Sequence, residues 1–81
     1  MKEIKVFVLQ EDGVSRQIVK ALKHHKIPHK VFDIRKNDKL AYQYDIMASP
    51  TVILEEDNTV QDVFIGYSKE IGLHERVKSF Y

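Results

Sequence analysis

The sequence predicts an α/β domain: a four-stranded mixed sheet with helices on both faces, its elements in the order β-α-β-α-β-β-α. Three observations predict it. Two strand-like apolar runs, residues 4–9 and 31–34, bracket a stretch of helical periodicity, the pattern of a β-α-β unit with parallel strands. Two more strand-like runs, 51–54 and 60–65, are separated by polar, turn-forming residues, the pattern of an antiparallel hairpin. A final amphipathic stretch follows. With 81 residues there is sequence for one domain, 1–81, and one compact core.

Residues 4–9 (IKVFVL) are nearly continuous in apolarity and rich in β-branched and aromatic side chains, as a central strand covered on both faces requires. Glu11-Asp12-Gly13 breaks the run. Val14, Ile18, Val19 and Leu22 then recur at helical spacing with Arg16, Lys20 and Lys23 on other faces, which predicts a helix over 14–25 that Pro28 prevents from continuing. Val31-Phe32-Asp33-Ile34 is a short second strand. Asn37 or Asp38 is placed to cap a second helix reaching Tyr44, with Leu40, Ala41 and Tyr44 turned inward on the opposite sheet face. The hairpin turns through Glu55-Glu56-Asp57-Asn58 and ends at Gly66. Ile71 or Gly72 starts the last helix, with Leu73, Val77 and Phe80 along one side.

Composition excludes several function classes. The chain has no cysteine, so it has no disulfide, no thiolate metal ligand and no thiol nucleophile. No apolar run approaches the roughly 20 residues of a membrane span, and Met1-Lys2-Glu3 leads into a strand pattern instead of a signal peptide, so a cytoplasmic protein without membrane association is expected. The net charge is +1, but Arg16, Lys20, Lys23, Lys26, Lys30, Arg35, Lys36 and Lys39 crowd one stretch while Asp45, Glu55, Glu56, Asp57 and Asp62 occupy a later one. This predicts a dipolar surface, a solvated basic helix face opposite an acidic hairpin. His24, His25 and His29 have no acidic or thiol ligand beside them, and His74 is isolated, so neither a metal nor any other cofactor is expected. Tyr42, Tyr44, Phe64 and Tyr67 are either an aromatic contact patch or part of the core.

The passage Leu40-Ala41-x-x-Tyr44-Asp45-Ile46-Met47-Ala48-Ser49-Pro50-Thr51-Val52-Ile53-Leu54, continued by Asn58-Thr59-Val60 and Phe64-Ile65-Gly66-Tyr67, resembles the part of thioredoxins that leads into and follows their cis-proline. Lys26-Ile27-Pro28-His29 before Val31-Phe32-Asp33-Ile34 resembles glutaredoxins, in particular the short redoxins that serve ribonucleotide reductase. The resemblance covers the whole chain and implies the minimal thioredoxin fold. It also implies that the family's Cys-x-x-Cys falls on Asp12-Gly13-Val14-Ser15, with Asp12 and Ser15 at the two cysteine positions. Pro50 matches the family's cis-proline. Tyr67 and Ser68 after Gly66 resemble the redoxin pattern more than the glutathione-binding Gly-Gly-x-Asp-Asp of glutaredoxins, which argues against glutathione as a ligand. Small altered redoxins look like those that phages and bacteria encode, which would place a phage protein in the host cytoplasm.

Thiol–disulfide exchange needs a thiolate at the helix N-terminus, and neither a carboxylate nor a hydroxyl replaces it, so the expected protein is not a redox enzyme. Asp12 is suited to capping the first helix. No sequence signal sets a histidine beside Ser15, so a serine hydrolase is not supported. The leading expectation is a redox-inactive module that binds or regulates a protein partner through the former active-site rim: Asp12, Gly13, Val14, Ser15, Ala48, Ser49, Pro50 and Tyr67. Two alternatives remain: nucleic-acid binding through the basic 16–39 stretch, against which near-neutral charge and the lack of a known motif weigh, or assistance to a partner that supplies every thiol.

Overall fold

The computed structural model describes residues 1–9, 13–66 and 73–80. Its elements are β1 (Lys2–Val8), α1 (Gly13–His24), β2 (Lys30–Asp33), α2 (Asp38–Gln43), β3 (Thr51–Glu56), β4 (Thr59–Ile65) and α3 (Leu73–Phe80). The sheet order is β2-β1-β3-β4, with β1 and β2 parallel and the other neighbours antiparallel, so the order, mixed sheet and central first strand match the expected architecture. No described helix is long and apolar enough to cross a membrane.

The expectation of a single core is refined: apolar side chains divide by strand alternation into two clusters, one on each sheet face. Ile4, Val6 and Val8 of β1 join Val52, Leu54 and Phe64 beneath α1 (Ile18, Leu22) and α3 (Val77, with Phe80 packed alongside). Phe7 and Ile53 point the other way, against Ala41 of α2 and the partly buried Phe32, Leu40, Tyr44 and Ile46. There the Phe7 and Phe32 rings stack with centroids 5.3 Å apart. Of the four aromatics considered for a contact patch, Phe64 and Tyr44 therefore pack on opposite faces, Tyr42 is exposed alone, and Tyr67 lies outside the described residues.

Both α1 and α2 stop by the same device. After α1, Lys26 takes φ 55°, its N–H bonds to the Lys23 carbonyl (3.1 Å), and the Ile27 N–H reaches back to Leu22 (2.9 Å). After α2, Asp45 takes φ 55°, with bonds from Asp45 to Tyr42 (3.1 Å) and from Ile46 to Ala41 (2.9 Å). These are Schellman motifs, each sealed by its apolar contact, but with Lys and Asp where glycine costs least. At the start of α2, Asn37 occupies the N-cap position without a side-chain cap bond; its amide donates to the Asp33 carbonyl instead (2.9 Å).

The acidic hairpin requires a correction. Glu55 and Glu56 extend β3, and the loop shrinks to Asp57-Asn58, both at positive φ as a two-residue type I′ turn demands. The register slips between Leu54 and Glu55, pairing them with Asp62 and Val60 and leaving Gln61 as the extra residue. Glu55 is buried, at 3% exposure, on the α2 face. Its carboxylate accepts from Lys5 Nζ on one oxygen and from the Tyr44 hydroxyl on the other, while Lys5 also donates to Glu3 at 2.7 Å. Burial alone would raise the Glu55 carboxyl, but Lys5 and Tyr44 outweigh it and hold its pKa below the ordinary 4.5. Burial would lower the Lys5 ammonium, and the contacts with Glu3, Glu55 and Tyr44 overcome that and hold it above 10.5. The Tyr44 hydroxyl is pushed up, first by burial and then by the carboxylate to which it donates.

Three outcomes are expected. Lys26→Gly and Asp45→Gly each raise unfolding free energy, by roughly 0.5–1 kcal/mol in urea denaturation, since the left-handed conformation costs glycine nothing sterically. Lys5→Ala leaves a buried carboxylate without its cation and costs about 2 kcal/mol, less than the ~3–5 kcal/mol of a wholly interior pair because Glu3 and Lys5 reach the surface. The pH dependence has two limbs. A depressed Glu55 stabilises above about pH 4.5 and loses that contribution as pH falls through its folded value; a raised Lys5 stabilises fully below about pH 10.5 and loses its contribution as pH climbs beyond. The urea midpoint should therefore fall at both ends, and a Lys5→Met/Glu55→Leu double variant should flatten both limbs.

Candidate functional site

Four pieces of chain meet at one end of the sheet: the exit of β1, the start of α1, the segment before β3 and the end of β4. The Leu9 N–H donates to Ser49 Oγ at 2.9 Å, and Ser49 Oγ lies 3.1 Å from Ser15 Oγ, a hydrogen bond in which either hydroxyl donates. On the far side of Ser49, the Ser49–Pro50 peptide bond is cis, and the Pro50 carbonyl accepts from the Gly66 N–H at 2.8 Å. Gly66 has φ 77°, a conformation glycine adopts freely. Thr51 Oγ1 donates to the Ala48 carbonyl at 2.7 Å and fixes the turn into β3.

Of the residues singled out in the sequence, Ser15, Ser49 and Pro50 are thus brought together, with Gly13, Val14 and Ala48 immediately beside them. Asp12 and Tyr67 lie outside the described residues. Of the expected rim residues, Ser15 is 3% exposed and Pro50 is buried, so these two lie beneath the surface. Among the described residues here, several exposed side chains are apolar. Val14 is 38% exposed, Met47, two residues before Ser49, is 94% exposed, and Ile65, paired with Thr51, is 65% exposed. Met47 and Ile65 escaped the sequence reading; the signal for Ile65 was period-2 alternation in β4, where buried Phe64 turns its neighbour outward.

The chemistry available here is limited. Among the described residues, Ser15 Oγ hydrogen-bonds to another serine and not to an imidazole, the base a nucleophilic serine requires. Among the described residues, no three of His, Asp and Glu converge to hold a metal. His24 and His25 contact each other edge to face at 5.1 Å, and His29 Nδ1 lies 2.8 Å from the Ile27 carbonyl.

The basic stretch does not form one surface. Arg16, Lys20 and Lys23 are on α1, Lys30 approaches Glu3 at 3.7 Å, and Lys39 is on α2 across the sheet.

No family profile matches the chain, and no curated protein is similar to it in sequence. Among solved structures it is similar to the thioredoxin of Fasciola hepatica, with 26% identity and a TM-score of 0.83 over 99% of this chain and 81% of that one. Schistosoma mansoni thioredoxin aligns with 24% identity and a TM-score of 0.83 over 99% and 79% of the two chains. A variant thioredoxin of Halobacterium salinarum reaches a TM-score of 0.85 at 18% identity, over 98% of this chain and 74% of that one. With its sheet order and these neighbours, the chain has the fold of the thioredoxin-like superfamily, with no cysteine anywhere in its sequence.

Proposed function

We propose that this protein is a redox-inactive binding or regulatory module that engages a partner protein through the rim of the former active site. The observation that carries the reading is the contrast within the site: a satisfied Ser15–Ser49–Leu9 hydrogen-bond network beneath, and the exposed apolar side chains of Val14, Met47 and Ile65 around it. A hydroxyl at position 15 that is buried and hydrogen-bonded is poorly placed to act as a nucleophile, whereas exposed apolar side chains at one end of a sheet are what protein recognition uses. The site as proposed holds Gly13, Val14, Met47, Ala48 and Ile65 as contact residues, with Ser15, Ser49 and Pro50 as their support. A role beside a thiol-bearing partner would use the same surface, with all redox chemistry on the partner.

The test is affinity capture from native cell extract followed by mass spectrometry, comparing the natural protein with Met47→Lys/Ile65→Lys. Loss of a captured protein with the variant is expected, and its undiminished capture would defeat the rim. In an insulin-reduction assay the purified protein should give no turnover above background. Ser49→Ala removes the acceptor of the Leu9 N–H and the partner of Ser15, and should cost about 1–2 kcal/mol of stability by thermal or urea unfolding. Ser15→Ala, which leaves the Leu9 bond in place, should cost less.

A further inference from the structure

Beside the rim, a groove of about 390 Å³ runs along α1 from Ser15. Its floor is aliphatic, formed by Val8, Leu9 and Val19, and its edge carries Arg16, Lys20 and Lys23, three exposed cations on one flank of the helix. Among the described residues none of the three is paired with a carboxylate. From Arg16 to Lys23 the row covers about 10 Å at the helical rise. A single anionic headgroup would meet one or two of these charges, while a peptide with several carboxylates meets all three. Nucleic acid fits less well, because the floor between the cations is aliphatic and gives bases no aromatic face on which to stack.

We propose that this groove binds an acidic peptide segment of the partner protein, with an apolar side chain on Val8, Leu9 and Val19 and its carboxylates against Arg16, Lys20 and Lys23. The inference deepens the binding-module reading by giving the partner's chemistry, and it rests on that reading for the adjoining rim. Electrostatic attraction along the row sets register and speeds encounter, while the apolar anchor supplies the area removed from water.

The probe is a fluorescein-labelled peptide, Glu-Glu-Leu-Glu-Phe-Glu-Leu-Glu-Glu, titrated by fluorescence anisotropy against the full chain. Controls are polyglutamate of equal length and a single-stranded oligonucleotide. Binding of the mixed peptide is expected, weakened about tenfold by Lys20→Glu/Lys23→Glu and by added salt. Both substituted side chains are exposed, and circular dichroism checks that the variant is folded. No binding, equal affinity in the charge-reversed variant, or equally tight binding of polyglutamate or the oligonucleotide would overturn the groove assignment. Capture from extract separates the two proposals. A partner lost with Met47→Lys/Ile65→Lys but retained with Lys20→Glu/Lys23→Glu leaves the rim and removes the groove; the reverse result removes the rim and leaves the groove.

Discussion

β1 is hydrogen-bonded to β2 along one edge and to β3 along the other, and its side chains divide between two cores. Ile4, Val6 and Val8 face α1 and α3, and Phe7 faces α2. This double burial decides where the site lies. A strand packed on both faces cannot slip register by one residue without exchanging its two sets of side chains; Lys5 and Glu3 would then enter the larger apolar cluster, and Glu55 on β3 would lose its cation. With the register held, the exit of β1 at Leu9 is fixed beside Ser49, and α1 must begin where Ser15 meets it.

Elements defined by local apolar pattern were legible in the sequence, because burial of a periodic face is a local property: residues 4–9 read as a central strand, and Ile18 and Leu22 as the inner face of α1. Glu55 was not legible. Glutamate after an apolar strand ordinarily marks a turn, and its burial becomes tolerable only through Lys5 and Tyr44, which lie 50 and 11 residues away in sequence. The helix ends were hidden for a related reason. Lys26 and Asp45 carry no local signal for the left-handed conformation, which is imposed by the apolar closures of Ile27 on Leu22 and Ile46 on Ala41.

The site was legible where it depends on residue identity and obscure where it depends on exposure. The absence of cysteine, the Ser-Pro step and the position of Ser15 follow from the letters. That Ser15 is buried while Met47 and Ile65 stand exposed depends on how three separated segments converge. Val14 and Ser15 are neighbours in sequence with opposite exposures because α1 turns one into the sheet and the other away from it.

A catalytic thiol has to be exposed to reach its substrate, and an exposed reactive group makes few contacts that hold the fold. The two cores lie behind the site, so removing such a group leaves them intact. Ser15, at the start of α1, is instead buried and shares a hydrogen bond with Ser49, which also receives the Leu9 N–H. This places the residue among the groups that keep the segments together. Stability then favours the closed hydroxyl pair, and the exposed features of the described residues nearby include apolar side chains and the cations of α1. The proposed binding function draws on those properties, and none of them requires a thiol.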